Sequence, residues 1–197
     1  MYKNFTIKEF SDKTSEKNPV PGGGAVSAII SALTASLGLM VSAYTLNNKK
    51  YENVSERTKN IKQELEKSRE ILFELAEKDS ELFLKYQATD KNNNSLLSEV
   101  TRENIENSLH IADESLKILK MSYELYTWGN KFLRSDAYIS CVYAWSGIKA
   151  SVCLINENKK SVSEEIYLEN INKITEKINS ETDFIINKLP EVMLSNG

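Results

Sequence analysis

Asp79 is the residue of this sequence whose setting most needs a chemical explanation. It falls on a stripe of apolar side chains, with Leu72, Ala76 and Phe83, that steps by threes and fours along a predicted helix from about Tyr51 to Tyr86. A buried carboxylate costs several kcal/mol unless it is paired or hydrogen-bonded. Two interpretations stay open: Asp79 makes a structural hydrogen bond inside the protein, or it lines a pocket where burial raises its pKa and lets it exchange protons near neutrality.

A run of three glycines, Gly22, Gly23 and Gly24, follows Pro21 and opens a predicted helix. The run is not a phosphate-binding P-loop, because no Gly-Lys-Ser/Thr follows at the required spacing. Glycines at a helix start nevertheless leave the backbone N–H groups open to an anion or to a developing negative charge. A plain turn explains the same run equally well.

Two more polar groups stand at predicted helix ends. Lys49, Lys50 and Tyr51 follow a long apolar segment and form either a solvated turn or a positively charged rim for an anionic ligand tail. Ser135 and Asp136 offer a cap for a following helix, since Asp favours helix starts through capping and the helix dipole. Asp136 is therefore open to the same two interpretations as Asp79, structural or chemical.

The histidine and cysteine content limits the chemistry that is available. His110 is the single histidine, and no cysteine or second histidine stands at ligand spacing from it, which excludes a zinc site and a histidine-based triad. Cys141 and Cys153 lie in one predicted helix with backbones about 18 Å apart, too far for a disulfide. We predict two buried thiols in a reducing cytoplasm. The N-terminal residues lack the order of a signal peptide, so no export is predicted.

The composition predicts one all-α folding unit over residues 1–197. Hydrophobic residues make up 41% and charged residues 27% of the chain, which argues against disorder and against a membrane-embedded class. The net charge of −3 predicts no general attraction to nucleic acid. Scarce Gly and Pro, together with the helical spacing of apolar residues, indicate an antiparallel helical bundle of about five long helices plus a short N-terminal helix.

The central helix of this bundle is predicted over Ala25–Leu46, a segment that carries no charged residue and is apolar on every face. Such a helix must be buried in protein or in lipid. Its hydroxyl groups, and the amphipathic helices elsewhere that need something to cover, favour burial in protein. Small residues recur here every fourth position and let neighbouring helices approach closely: Ser27, Ala28, Ser31, Ala32, Ala35 and Ser36.

Capping and breaking signals predict where the other helices begin and end. The predicted boundaries are a capping box at Thr6 and Glu9, a polar loop over 90–95, a left-handed end at Gly129 and Asn130, a start at Ser135 and Asp136, a second capping box at Ser161 and Glu164, and a stop at Pro190.

Five short segments, taken in order, resemble the cyclodeaminase/cyclohydrolase family, which comprises the C-terminal half of formiminotransferase-cyclodeaminase and the stand-alone methenyltetrahydrofolate cyclohydrolases. The likeness covers nearly the whole chain. It implies a mostly helical homodimer that binds a folate as its substrate, and we expect no cofactor, no nucleic-acid or membrane partner and a cytoplasmic location. The segments are Pro19–Gly24 before the small-residue helix, Lys49–Tyr51 after it, Asp79 with Phe83, Gly129–Lys131, and Ser135–Ala137.

The resemblance implies a pocket built from the glycine turn, the Asp79 helix and the start of the Ser135–Asp136 helix. Family members either close formiminotetrahydrofolate to methenyltetrahydrofolate with loss of ammonia, or interconvert the methenyl and 10-formyl forms with water. Both reactions pass through a tetrahedral carbon between two nitrogens, and a buried carboxylate can supply the proton transfer they need. Asp79 and Asp136 are the implied catalytic residues. The implied substrate-binding residues are Pro21, Gly22, Gly23, Gly24, Lys49, Lys50, Tyr51, Phe83, Asn130, Ser135 and Tyr138.

Alternative roles and rival hypotheses remain. Either carboxylate could bind the N–H donors of the pterin instead of catalysing, and the lysine pair could bind the carboxylates of the glutamate tail.

Ala25 stands where the family usually has serine, Tyr138 where it has glycine, and Leu154 where it has asparagine. A divergent member that binds another small molecule, or acts as a non-catalytic helical dimer, is therefore the second hypothesis. A purely structural or partner-binding bundle is the third. Of the two reactions the cyclohydrolase is predicted, because no formiminotransferase domain is attached.

Overall fold

The computed structural model of the chain describes residues 1–90 and 92–189. Within these residues the structure has six α-helices, three short 3₁₀ turns and no β-strand, which confirms the predicted all-α class. The predicted stop at Pro190 lies outside the described residues. The helices are α1 (Ile7–Ser15), α2 (Gly23–Leu46), α3 (Ser55–Ala88), α4 (Asn94–Trp128), α5 (Arg134–Lys159) and α6 (Glu165–Ile186).

The predicted small-residue packing is found where the central helix α2 meets its neighbours α3, α4 and α5. Ser31 of α2 places its Oγ 2.8 Å from Ser115 Oγ of α4. A Cβ built on Gly147 of α5 would lie 2.3 Å from the same Ser31 Oγ. The missing side chain at Gly147 therefore lets α5 lie close to both helices.

Among the described residues, nothing fully covers one face of α2, which corrects the prediction that this helix is buried on every side. Ile30, Leu33, Met40 and Tyr44 are 39%, 50%, 37% and 58% exposed. The neighbouring helices α3, α4 and α5 pack against the other sides of α2 and leave these side chains exposed.

In the described part of the chain, two segments are long and apolar enough to cross a bilayer, by length and composition alone: α2 and Lys131–Lys159. More than half of the most apolar window of α2, 56%, is buried inside the bundle. The core helices of soluble proteins pass the same test, so this property carries no weight for a membrane location.

The start of α1 agrees with the sequence prediction, whereas the end of α4 agrees with it in position only. The capping box of α1 is confirmed, because Glu9 N donates to Thr6 Oγ1 (3.1 Å) and Thr6 N donates to Glu9 Oε2 (2.6 Å). α4 ends at Trp128 as predicted, but Gly129 has a φ of −70° and is not left-handed. A Cβ on Gly129 would lie 2.4 Å from the Leu125 carbonyl oxygen, so glycine is needed there for close approach.

The capping residues predicted for the starts of α5 and α6 are wrong. α5 begins at Arg134, so Ser135 and Asp136 lie inside its first turn and do not cap it. Glu164 precedes α6 without a side-chain cap hydrogen bond, and its carboxylate accepts a hydrogen bond from Ser98 Oγ of α4 instead (3.0 Å). A contact with a distant helix replaces the local capping box in this case.

Two further predictions, the start of α3 and the burial of Cys153, need correction, whereas the burial of Cys141 is confirmed. The helix expected from about Tyr51 begins only at Ser55, after a 3₁₀ turn over Lys49–Val54. Cys141 is buried, and burial raises the pKa of its thiol to about 12. Cys153 is exposed, contrary to the prediction. Twelve residues rotate a side chain by about a third of a turn around an α-helix, which carries Cys153 away from the core.

Candidate functional site

Asp79 of α3 lies against the N-terminus of the central helix. Its Oδ2 accepts a hydrogen bond of 2.9 Å from Ala25 N. The N-cap residue of α2 is Gly22, which has no side chain to cap the helix. A carboxylate from another helix therefore satisfies one of the free amides and lies in the favourable field of the helix dipole. The structural interpretation of Asp79 is supported by this contact.

Of the three glycines, only Gly24 is required by packing. A Cβ on Gly24 would lie 1.9 Å from Asp79 Oδ1, so a side chain at this position would displace the carboxylate. Gly23 is exposed and has nothing within 4 Å of its Cβ position. Pro21, just before the run, is buried and follows a cis peptide bond.

Two backbone amides at this end of α2 have no hydrogen-bond acceptor among the described residues. The hydrogen bonds of the helix begin with Val26 N, which donates to Gly22 O. Ala25 N is used by Asp79, while the N–H groups of Gly23 and Gly24 have no acceptor among the described residues. The turn thus combines free donors with an adjacent carboxylate, an arrangement that can bind an anion and exchange a proton within a few ångströms.

The electrostatics of Asp79 support the chemical interpretation as well. Burial raises the pKa of its carboxyl, and the hydrogen bond from Ala25 lowers it by less. A carboxyl with a raised pKa holds its proton closer to neutrality. Phe83 lies one turn further along α3 and is 40% exposed, which corrects its predicted place on the buried stripe. Leu82, which is buried, takes the core-facing position in that turn.

Tyr2 and Ser80 are neighbours of this site that sequence reasoning missed. Tyr2 Oη lies 2.7 Å from Ser80 Oγ, and Ser80 directly follows Asp79. Burial raises the pKa of the Tyr2 hydroxyl, against the opposing effect of the Ser80 hydrogen bond. The sequence signal for this contact was the spacing of aromatic residues in the N-terminal segment. Tyr2 packs edge-on against both Phe5 and Phe10.

The N-terminal segment also forms one wall of an apolar groove of about 310 Å³ along α2. Phe73 of α3 lines the groove together with residues of α2. The residues that line it from the N-terminal segment and α2 include Tyr2, Phe5, Phe10, Val26, Ile29 and Leu33. This groove continues the uncovered face of α2 toward the glycine turn.

A second group of predicted site residues gathers at the other end of α2. Asn130 is buried, and its backbone N–H donates to Thr45 Oγ1 (3.0 Å) while its Nδ2 donates to Tyr44 O (3.2 Å). Tyr51 Oη accepts from Lys131 N (2.9 Å). These bonds fasten the turn before α5 to the end of α2 and the start of α3.

Charged and polar side chains surround this second group. Lys49 and Lys50 are exposed, as expected for either a solvated turn or a cationic rim. Ser135 is exposed and Asp136 is half-buried in the first turn of α5. The ring of Tyr138 packs against Tyr126, with ring centres 6.0 Å apart.

The two groups do not meet within one chain. α5 runs antiparallel to α2, because Asn130 is bonded to Thr45 and Ser140 Oγ to Thr34 O (3.3 Å). Interpolation between these contacts puts Asp136 level with about residue 38 of α2, whereas Asp79 is level with Ala25. Thirteen residues of helix separate the two carboxylates by about 20 Å. Residues 1–90 and 92–189 of one chain therefore form no single pocket that contains both carboxylates, although the resemblance implies one.

His110 stands apart from both groups. It is exposed on α4 and lines a surface groove of about 430 Å³ between α4 and α6 that contains none of the predicted site residues. Across residues 1–90 and 92–189, no cluster of three or more His, Cys, Asp or Glu side chains is arranged to hold a metal ion.

Comparison with known proteins places this geometry in a family. The family described as formiminotransferase-cyclodeaminase matches residues 6–177. Methenyltetrahydrofolate cyclohydrolase of Methylorubrum extorquens is 24% identical over 202 residues, a match that covers 98% of this chain and 97% of that protein. The crystal structure of formiminotetrahydrofolate cyclodeaminase from Thermotoga maritima superposes with a TM-score of 0.91 at 26% identity and covers 94% of this chain and 93% of that one. With a family match that extends over most of its length, the chain belongs to the formiminotransferase-cyclodeaminase family.

Proposed function

We propose that this protein is a one-carbon folate enzyme that hydrolyses 5,10-methenyltetrahydrofolate to 10-formyltetrahydrofolate and catalyses the reverse reaction. The observation that carries the proposal is a partly buried carboxylate, Asp79, bonded to the open N-terminus of α2 in a chain that aligns over nearly its whole length with a cyclohydrolase. Membership of the family supports a folate as the substrate.

The proposed chemistry needs one group that moves protons. Water adds to the methenyl carbon and loses one proton, which gives a neutral hydroxyl adduct. The bond from that carbon to N5 then breaks, N5 takes up a proton, and the hydroxyl loses its own proton as it becomes the formyl oxygen. Two protons leave the water and one goes to N5, so that one proton is released overall. Asp79 is proposed to accept the proton of the attacking water and to return it to N5, and the raised pKa of its carboxyl suits both steps. The amides of Gly23 and Gly24 are proposed to stabilise negative charge that develops on the attacking oxygen.

The other predicted residues are proposed to bind the substrate. Lys49 and Lys50 are exposed and suit the carboxylates of a glutamate tail. Asp136 is half-buried and suits either the N–H donors of the pterin or a share in proton transfer. We further propose that the enzyme is a cytoplasmic homodimer that requires no cofactor and binds neither nucleic acid nor a membrane.

Cyclodeamination of formiminotetrahydrofolate is the second candidate, and a specific observation favours it. The Thermotoga maritima cyclodeaminase matches this chain over 93% of its own length. The length of the chain therefore does not separate the two reactions, although it favoured the cyclohydrolase in the sequence analysis.

Assays with both substrates test the proposal. Purified protein should remove the near-ultraviolet absorbance of 5,10-methenyltetrahydrofolate faster than buffer alone. Release of ammonia from formiminotetrahydrofolate, without hydrolysis of the methenyl form, would establish the second candidate instead. Binding of a stable folate analogue without either turnover would identify a divergent folate-binding member. Absence of both turnover and binding would overturn the folate assignment.

A further inference from the structure

The N-terminal segment, residues 1–10, lies along one face of α3. Phe73, Glu77 and Ser80 share this face, because they are spaced by four and three along the helix. Phe73 lines the apolar groove together with Tyr2. Glu77 Oε1 lies 3.6 Å from the N-terminal ammonium group, and Ser80 Oγ lies 2.7 Å from Tyr2 Oη. The segment therefore follows α3 for about two turns.

The α2 wall of the same groove begins beside the hydrogen bond between Asp79 and Ala25. Val26, which directly follows Ala25, lines the groove together with Tyr2. Ser80, which directly follows Asp79, is bonded to Tyr2. One chain neighbour of each partner thus faces the N-terminal segment, so this segment covers the contact between Asp79 and Ala25 on one side.

Tyr2 is the residue that joins the N-terminal segment to α3. α1 contains no buried residue, so aromatic packing has to hold this part of the chain. The ring of Tyr2 lies edge-on to Phe5 and Phe10, with ring centres 5.6 and 5.3 Å away. Its hydroxyl group reaches the buried side chain of Ser80. One side chain therefore connects the aromatic cluster to the helix that carries Asp79.

Tyr2 and Asp79 are close enough to influence each other. Burial has the largest effect on the pKa of the Tyr2 hydroxyl and raises it. The Ser80 hydrogen bond lowers this pKa, and the charges of Glu77 and Asp79 raise it further. Burial is also the larger of the two effects on the pKa of Asp79. Whatever covers this carboxyl therefore sets how strongly it holds a proton.

The charged groups around this contact are paired with one another. α2 carries no charged residue. The N-terminal ammonium group pairs with Glu77, and Lys3 is exposed at the edge of the groove. On the side of α3 that meets α4, Lys85 pairs with Glu103 (2.6 Å). The access of water to Asp79 is thus the property that the N-terminal segment controls.

We propose that Tyr2 is a positioning residue for Asp79: it fastens the N-terminal segment to Ser80 and thereby keeps water away from the contact between Asp79 and Ala25. The effect of Tyr2 on turnover rests on the proposed function, whereas its effect on Asp79 rests on these contacts alone.

Two single substitutions remove the anchoring hydrogen bond from opposite sides. Tyr2→Phe keeps the ring and Ser80→Ala keeps the helix, and a C-terminal tag leaves the N-terminal segment unchanged. Each variant should lower kcat by about tenfold, less than the loss of the general base itself, and leave KM near the wild-type value because no proposed substrate contact is removed. The fall of activity on the acid side should also move to lower pH, since a hydrated carboxyl stays ionised further into acid. Wild-type kcat and an unchanged pH profile in both variants would overturn the proposal.

The double variant Tyr2→Phe/Ser80→Ala tests whether the two residues act through one hydrogen bond. Both substitutions remove the same bond, so the double variant should be no slower than the slower single variant. A loss in kcat equal to the product of the two single losses would show independent effects and contradict the proposed anchor.

Tyr167→Phe is a matched control. Tyr167 is a half-buried tyrosine of α6 whose hydroxyl donates to Arg102 O (3.5 Å), and burial raises its pKa to about 12. α6 packs against α4 and α5, away from Asp79. This variant should keep the wild-type kcat and pH profile. A change equal to that of Tyr2→Phe would show that loss of any half-buried hydroxyl has the same effect, which would overturn the specific role of Tyr2.

A measurement without folate separates this proposal from the proposed function. Asp79→Asn is introduced into the wild-type protein and into the Tyr2→Ala variant, and the free energy of unfolding of all four proteins is measured with urea from about pH 4 to pH 8. No residue of the N-terminal segment is buried, so Tyr2→Ala should still fold. The effect of Asp79→Asn should change with pH in the wild-type background and change less in the Tyr2→Ala background, because water then reaches the carboxyl.

An equal pH dependence in the two backgrounds would overturn the role of Tyr2. A smaller pH dependence in the Tyr2→Ala background, found in a protein that does not turn over folate, would refute the proposed function and leave the positioning role standing.

Discussion

At Asp79 a hydrogen bond and burial act on the same carboxyl in opposite directions. The bond from Ala25 N favours the ionised form, and burial, which has the larger effect, favours the protonated form. The sequence predicted a carboxylate on an apolar stripe, but it could not identify the partner, because Ala25 is 54 residues away along the chain. Both interpretations of Asp79 find support: it caps α2, and its pKa is raised.

The raised pKa of Asp79 predicts a pH dependence of stability. Between the ordinary carboxyl pKa of about 3.9 and the raised value, the folded state binds more protons than the unfolded state. The free energy of unfolding should therefore fall as the pH rises through this window. The Asp79→Asn variant lacks this contribution, so its stability relative to wild type should improve as the pH rises. Urea denaturation of both proteins in steps from about pH 4 to pH 8 measures the difference, and a difference that does not change with pH would contradict the burial effect.

At the scale of elements, the sequence predicts some helix boundaries and misses others. The glycine run and the missing charges predicted the position of the helix, and small residues predicted its close neighbours. The capping of α5 and α6 was not predictable, because Glu164 meets Ser98, which is 66 residues distant, instead of forming a local box. Local signals identify helix boundaries only where no tertiary contact competes for the same side chain.

Gly24 and Gly23 provide a matched pair of substitutions at this helix start. Gly24→Ala should lower the free energy of unfolding by about 1–3 kcal/mol, because its Cβ would lie 1.9 Å from Asp79 Oδ1. Gly23→Ala should change stability by less than about 0.5 kcal/mol, since nothing lies within 4 Å of its Cβ position. Chemical denaturation measures both values.

The two alanine variants should also differ in activity. Gly24→Ala should lose turnover because the carboxylate is displaced, whereas Gly23→Ala should bind and turn over the folate more nearly as wild type does. Equal effects of the two substitutions on stability would show that the contact with Asp79 is not the reason why position 24 requires glycine.

At the scale of the whole molecule, the bundle was predictable and its exposed face was not. Apolar spacing and the capping signals indicate how many helices there are and which sides are apolar. They do not indicate whether one chain is sufficient to cover all of those sides, because that depends on the packing of α3, α4 and α5 around α2. The homodimer is implied by the resemblance alone and stays a prediction.

A charge on the uncovered face of α2 tests the proposed homodimer. Leu33→Asp places a carboxylate at a position that is 50% exposed in the single chain. If a second copy covers this face, the variant should sediment as a monomer with its helical content intact. Ile166→Asp changes a residue of α6 that is 79% exposed, and this control should keep the mass of the wild-type protein. A dimeric Leu33→Asp variant at the same concentration would locate the interface elsewhere.

The proposed role of Asp79 is tested most directly by the rate of 5,10-methenyltetrahydrofolate hydrolysis, compared between the wild-type protein and the Asp79→Asn variant. An asparagine oxygen can still accept the hydrogen bond from Ala25 N, so the variant should remain folded and bind a stable folate analogue. We expect rapid turnover by wild type and a rate at least about 100-fold lower in the variant, the loss typical of a missing general acid–base group. Near-normal hydrolysis by a folded Asp79→Asn variant, or no hydrolysis by the wild-type protein, would contradict the account.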